Sequence, residues 1–587
     1  MKARISPIRS LGALVVVAVG IAVFAGSTPT SIVEPKQNAA LVETVGRVTD
    51  DGGTLTLGSS RLCDSFDPAR SFDAWCAVVF RLYSRNLMAF SSQPGIASFE
   101  VQPDLAQTAA RVSASKMFWT FTLRPNARWN NGKNLSISDV QYSIERLYSP
   151  EVRGAISNKY LCMLSECPKG VPAYRGPGKK GQRHLSSIHV SGTNQITFKL
   201  TSPSPDFGRV LALPQFSIIE KSRDLYLRAQ NRKYEYLPSS SGPFVLRYKA
   251  KQKQVSFIRN KYWVQASDGI RLPHVQNIKW RVISDLDKLQ QETLSGGIDI
   301  RIGEDFLLPT SDLETFKRKF SKNLDQPFTG FTSFLAIKPS VGPLNRLACR
   351  QAIFYAVDKS QLQRIKGGSV KAEIATSMLP PNVVGYESGG DLYRNLGKPS
   401  GDLAAAESAL KKCGYPEGFE VTMAYLNIGI GSEIFRSIQS SLAQVGIVVA
   451  PKRFDNYTKF ISVTRNPEQL ASENISLVVS GVQSQLHSPL DFWSEIADGR
   501  LIKPFGNENI ALIDVAGINS ALDNLVTEPS QSQQLSAKIN IQIMQRAVYL
   551  PYTYDRIMLY RNPKVVGIYV QQALGGQYDL VNVGLVK

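Results

Sequence analysis

Apolar residues recur along this chain at two spacings, every second position and every third or fourth, and each spacing predicts its own element. Thr54 to Gly58 makes a short strand that runs into a turn at Asp67 and Pro68, after which Trp75, Val78, Val79, Leu82 and Leu87 recur at helical intervals. Trp119 to Leu123 alternates strictly, which predicts a strand, and a turn-rich stretch from Arg124 to Lys133 follows it. Ser138 then stands as the cap of a helix that carries Val140, Ile144 and Leu147 on one face. Ile188, Val190, Ile196, Phe198 and Leu200 alternate across a hairpin turned at Gly192 to Asn194, completing a compact α+β unit.

Further strands are predicted between Pro243 and Ile302: Phe244, Leu246 and Tyr248, then Val255 and Phe257, then Ile278, Trp280 and Val282. A helix starting near Ser284 ends at Gly296 and Gly297, before a strand from Ile298 to Ile302. The second half changes texture. Asp402 begins a helix with Leu403, Ala406, Leu410 and Cys413 on one face, and Gly414 stops it. A strand through Phe419, Val421, Met423 and Tyr425, a helix through Ile434, Ile438, Leu442 and Val445, and a strand from Ile447 follow with short links, a βαβ-like pattern.

At 587 residues the chain exceeds what one core usually serves, so two or three domains are expected. Its start has the form of an export signal: Lys2, Arg4 and Arg9 precede an uncharged apolar run from Leu11 to Ala25. Cleavage after Ala25 and an uncleaved anchor are the two readings, and the run is short for a membrane span. Residues 26–52 read as a flexible tether, with folding expected from Gly53. The first cysteine is Cys63, far beyond the export segment, so lipidation is not expected.

Six cysteines in an exported chain suggest disulfides. Spacing suggests Cys63 with Cys76 and Cys162 with Cys167, leaving Cys349 for Cys413; six reduced core thiols are the alternative, and spacing alone does not prove the pairing. No CxxC is present and the histidines are scattered, so no metal site is expected. The net charge of +20 raises the question of nucleic acid, but Lys and Arg are dispersed, and the clearest run, Lys179, Lys180 and Arg183, falls in a glycine-rich loop. A solvated basic surface, with no nucleic-acid partner, is the reading adopted.

Several blocks, taken in order, resemble the bacterial extracellular solute-binding proteins of family 5. They are Leu57 to Pro68, Pro103 to Ala106, Trp119 to Lys133, Ser138 to Leu147, Ser241 to Val245, Arg259 to Trp263, Ser295 to Ile300 and Arg350 to Lys359. The resemblance implies a mixed α/β, two-lobed periplasmic-binding-protein-like fold of type II with an extra inserted domain. Lobe I would comprise residues 53–96, 207–325 and 553–587, with 97–206 as its inserted subdomain, and lobe II residues 326–552. Crossings near Phe328 and Pro551 would make a hinge that closes on the ligand. The implied role is that of a monomeric, exported, periplasmic or cell-surface component of an ABC importer. It would bind a small peptide or other polar solute, pass it to membrane permease subunits, and need no cofactor.

In the oligopeptide-binding members an acidic residue of a "DY-x-[ED]-P" stretch pairs with the peptide's amino terminus. Here the matching stretch is Ser484 to Pro489, which puts the neutral Gln485 at the acidic position. An amide accepts a hydrogen bond but does not neutralise an ammonium. Asp491 is a candidate substitute, and an N-blocked or cyclic peptide, a sugar or another polar metabolite is the alternative ligand class. His487, Trp493 and Phe334, with Asp67, Phe72 and Trp75 from the loop after the first strand, complete the candidate ligand-binding set. Each also reads as structure: the aromatics as core, Asp67 as a turn former before Pro68, His487 as an exposed loop residue. A secreted hydrolase finds little support, since no GxSxG, HExxH, Walker A or strand-linked GxGxxG is present and no catalytic residue is assigned. A surface receptor on the same fold, with a non-peptide ligand, remains as the alternative.

Overall fold

The computed structural model describes residues 39–40, 52–152, 156–177, 184–249, 254–303, 318, 320–388 and 390–586. The export segment over 1–25, most of the tether, and Lys179, Lys180 and Arg183 lie outside the described residues.

Two hydrophobic cores organise the fold. The first is built on a five-stranded mixed sheet in the order Ile300–Arg301, Thr54–Ser59, Asn277–Val282, Gln254–Arg259, Phe244–Lys249. Thr54–Ser59 runs parallel to both of its neighbours, and Leu55, Leu57, Ile278, Trp280, Val255 and Phe257 turn inward from alternate positions. A four-stranded antiparallel sheet, Arg111–Val112, Phe118–Thr122, Gln195–Lys199, Ile188–Ser191, lays Phe121, Ile196 and Phe198 against the helix Ile137–Arg146 and joins the same core. That helix is capped by Ser136, two residues earlier than the expected Ser138. Ser136 Oγ accepts the Asp139 N–H at 3.3 Å while the Asp139 carboxylate accepts the Ser136 N–H at 2.9 Å. This reciprocal pair outcompetes a lone serine cap.

Charge is also buried in the first core. Asp104 sits between Arg85 and Arg271 at 2.7 and 2.9 Å, and Arg271 reaches Asp268 at 3.1 Å. Burial opposes ionisation of Asp268, but the two guanidiniums prevail and hold its carboxyl well below the usual range.

The second core surrounds a six-stranded sheet in the order Ala372–Ile374, Tyr549–Arg556, Phe328–Ile337, Leu477–Gln483, Glu420–Leu426, Val448–Phe454. Glu420–Leu426 is parallel to Val448–Phe454, with the helix Gly431–Ala443 crossing between them, as the βαβ pattern predicts. The helix Leu403–Cys413 starts at Asp402, whose carboxylate accepts the Ala405 N–H at 3.1 Å, and ends at Gly414, whose φ of 81° is left-handed. Phe328–Ile337 and Tyr549–Arg556 are antiparallel neighbours at the centre of this sheet, and both pack into the second core.

All three suggested disulfides are present: Cys63–Cys76, Cys162–Cys167 and Cys349–Cys413. Two local expectations change. The helical spacing from Trp75 to Leu87 yields only a short helix, Ala77–Phe80, and the chain then turns into the strand Met88–Phe90. Arg81, next in the chain, turns its side chain inward, to the Phe90 carbonyl at 3.1 Å and Asp579 at 3.0 Å. Within the expected tether, Ala39 and Ala40 are buried, because the Ala39 N–H reaches Asp325 at 2.8 Å and its carbonyl accepts the Val570 N–H at 2.6 Å. Among the described residues no helix is long and apolar enough to cross a membrane.

Candidate functional site

The two cores meet at a loop, Ser484–Ser488, and at the helix Pro489–Ala497 that follows it. The helix starts with Ser488 as its cap, accepting the Asp491 N–H at 3.0 Å, and Pro489 at its first position. The loop leaves the strand Leu477–Gln483 of the second sheet, yet Leu486 packs within the first core. Arg209 holds the loop to the first core by donating to the Leu486 carbonyl at 3.3 Å and to the Phe99 carbonyl at 2.6 Å. Ser488 donates from its hydroxyl to Asp206.

His487 has φ 51°, a left-handed conformation uncommon for a side-chain-bearing residue. Its ring stacks on Phe99 and is buried, and Nδ1 finds no hydrogen-bond partner among the described residues. Burial first, then the positive charge of Arg209, lowers its pKa to about 4, so the imidazole is neutral at pH 7. Asp206 moves the other way. Burial raises it to about 6, against the opposing pull of Ser488 and Arg209.

Asp491 is the centre of a charge cluster drawn from both cores. Its Oδ1 receives Lys159 Nζ at 2.8 Å and the Tyr160 hydroxyl at 3.1 Å, and its Oδ2 receives the Ser484 hydroxyl at 2.8 Å and the Leu486 N–H at 3.1 Å. Lys159 also pairs with Glu495 on the same helix face. Burial works against the Asp491 charge, but Lys159 outweighs it and keeps the carboxyl below its ordinary value; for Glu495 burial prevails and the value is raised.

The candidate ligand residues fall in three settings. His487 and Asp491 belong to this meeting point, and Gln485, between Ser484 and Leu486, is exposed beside it. Phe334 and Trp493 are buried in the second core, Phe334 edge-on to Tyr549 at 5.1 Å and Trp493 donating its indole N–H to Ser536 at 2.9 Å. Asp67 and Trp75 are buried in the first, Asp67 on the guanidinium of Arg146 and Trp75 edge-on to Trp280 at 5.9 Å, while Phe72 is 70% exposed. Reading the sequence missed Lys159, Tyr160, Asp206 and Arg209. Lys159 lies 332 residues from Asp491, and no local spacing links them.

Recesses of about 330 and 310 Å³ lie elsewhere, along the helices Ile137–Arg146 and Lys221–Ala229, lined by Trp129, Glu220, Lys221, Leu225 and their neighbours. Among the described residues one group of metal-ligand types comes together, Asp64, Asp73 and Cys76. Cys76 is in a disulfide and Asp73 is engaged by Arg61 at 2.5 Å, so the group offers no thiolate.

Two α/β units, each with its own sheet and core and meeting over a polar contact, give a two-lobed, periplasmic-binding-protein-like architecture. The family model "Bacterial extracellular solute-binding proteins, family 5 Middle" matches residues 100–500. The chain belongs to that family, whose members are exported partners of ABC importers that bind and release a solute without converting it. It is similar to the nickel-binding periplasmic protein of Escherichia coli (strain K12), 24% identical over 77% of this chain and 80% of that one. The probable D,D-dipeptide-binding periplasmic protein DdpA of the same strain is also 24% identical, over 72% and 74%. Among solved structures, clavulanic acid biosynthesis oligopeptide binding protein 2 superposes with a TM-score of 0.82 at 29% identity, covering 94% of this chain and all of that one. The unliganded open form of the murein tripeptide binding protein MppA gives 0.71 at 17%, over 92% and 98%.

Proposed function

We propose that this chain holds an extended oligopeptide or a similar polar solute between its lobes and hands it, as a monomer, to an ABC permease. The observation that carries this reading is the loop Ser484–Ser488, which leaves one lobe and seats Leu486 in the core of the other, so that a solute between them would be enclosed by contacts the lobes make together. Names such as oligopeptide-binding and dipeptide-binding among the similar proteins favour a peptide. In this reading lobe I is formed by 53–96, 207–325 and 553–587 with the insert 97–206, lobe II by 326–552, and the hinge lies near Phe328 and Pro551. Native mass spectrometry of protein taken directly from its host tests it. A heterogeneous set of co-purified peptides is the expected result, and a single non-peptide species would overturn the peptide assignment. The second reading, a receptor for a non-peptide ligand, draws its support from the uncharged Gln485 in the position where an acid would meet a peptide's amino terminus.

A further inference from the structure

A carboxylate accepts at about four lone-pair sites, and both oxygens of Asp491 are fully engaged from inside the protein. Three of the partners fix the carboxylate in place: the Ser484 hydroxyl, the Leu486 N–H and the Tyr160 hydroxyl. The fourth is different in kind. Lys159 brings a full positive charge from the first lobe, in the short helix Asn158–Leu161, onto a carboxylate pair that belongs entirely to the second lobe. Its ammonium also lies over the ring of Tyr160, 4.7 Å from the centroid, a placement that further favours a cation. The Asp491 side chain is only 5% exposed, so an unneutralised charge there would be costly.

We propose that Lys159 is a specificity-determining residue of the interlobe site: its ammonium neutralises Asp491 and Glu495 from within the chain and closes that position to a solute's cation. A primary amine entering the cleft would have to displace a tethered ammonium that needs no translational entropy to arrive. Solutes recognised through neutral or anionic groups meet no such competitor. The assignment rests on the reading of the cleft as the solute site, but its chemistry is testable apart from any solute.

Replacing the lysine by a smaller residue opens a cation hole. In full-length Lys159→Ala with its disulfides intact, propylammonium chloride should raise the melting temperature by about 2 °C over an equal concentration of sodium chloride, by mass action on the folded form. The wild type and Lys159→Arg should show no such difference, and tetramethylammonium, which has no N–H to donate, should not replace propylammonium. The double variant Lys159→Ala with Glu495→Gln should respond less. Equal responses of Lys159→Ala and wild type to propylammonium would overturn the inference. A second arm separates it from the proposed function, by calorimetry with tri-alanine and N-acetyl-tri-alanine. At least ten-fold tighter binding of tri-alanine alone to Lys159→Ala supports both. Propylammonium capture with no gain for tri-alanine keeps the role of Lys159 and counts against a peptide solute.

Discussion

His487 stacks its imidazole on the ring of Phe99, with centroids 4.7 Å apart and planes 24° from parallel, so the loop leaving the second sheet lies flat on a residue of the first core. The stack buries a titratable group beside a second one, Asp206, which accepts from the neighbouring Ser488. These two groups are displaced in opposite directions, His487 down to about 4 and Asp206 up to about 6, in each case by burial.

Their pH dependences therefore oppose each other. The unfolded chain protonates His487 near its ordinary value of 6.5, so native stability from this residue falls as pH drops from 6.5 towards 4. Asp206 ionises first in the unfolded chain, near 3.8, so its contribution grows as pH drops from 6 towards 3.8. Each amounts to about 3 kcal/mol. Arg209, Asp491 and Lys159 face the pair and add the same background to every variant. Asp206→Asn should leave the His487 loss unopposed and make stability fall more steeply than wild type between pH 6.5 and 4. His487→Gln should do the reverse. Urea titrations at a series of pH values check this, and parallel profiles for all three proteins would refute it.

Asp67 separates a structural from a ligand role. It is 0% exposed, and its partner Arg146 also holds Asp224 at 2.9 Å, so neutralising Asp67 leaves a buried guanidinium half-compensated. Asp67→Asn should cost about 3–5 kcal/mol of unfolding free energy. Solute affinity of the folded fraction should be unchanged. A large loss of affinity at near-normal stability would instead place Asp67 at the ligand.

The three disulfides close loops of very different length, and chain-entropy arguments rank them. Cys349–Cys413 spans 64 residues and Cys162–Cys167 spans 5. Removing the first as a double serine variant should cost about 4 kcal/mol, and removing the second about 2 kcal/mol. Denaturant melts of the two variants give the order. A greater loss from the short loop would show that native packing around Cys162, rather than the unfolded chain, dominates.

What the sequence showed follows from how far apart the interacting residues lie. Asp402 and Gly414 bound a helix by local hydrogen bonds and backbone geometry, and both ends were legible. Alternation through Phe419, Val421 and Met423 reported burial on one face of a sheet in the same way. The spacing from Trp75 to Leu87 also reported burial correctly, since all five marker residues are at most 2% exposed. It misjudged the conformation, since the helix stops at Phe80 and the next residue, Arg81, is engaged by Asp579, nearly 500 residues later and beyond the reach of any local pattern. The meeting of the lobes was the least legible part. Gln485, His487 and Asp491 were noticed through a family pattern, but Lys159, Asp206 and Arg209 share no periodicity with them, and only the folded arrangement brings them to the loop.

Lys359 offers a test at alkaline pH. It belongs to the block Arg350 to Lys359 that carried the family resemblance, yet it is only 1% exposed, and its ammonium donates to the Ala375 carbonyl at 2.9 Å. Burial lowers its pKa to about 7, with the charge of Asp391 pulling weakly the other way. Between pH 7 and 10.5 the native protein thus binds fewer protons here than the unfolded chain, and stability attributable to this site rises with pH, by on the order of 4 kcal/mol across the window. Lys359→Met removes the titrating group while keeping the length of the side chain, at the cost of leaving the Ala375 carbonyl without this donor, about 1 kcal/mol. The variant should therefore be more stable than wild type at pH 7, and the two should converge and then cross as pH approaches 10. Thermal melts at pH 7, 8.5 and 10 measure the difference. If wild type is the more stable at pH 7, the lysine is charged in the native state and held by interactions stronger than a single carbonyl.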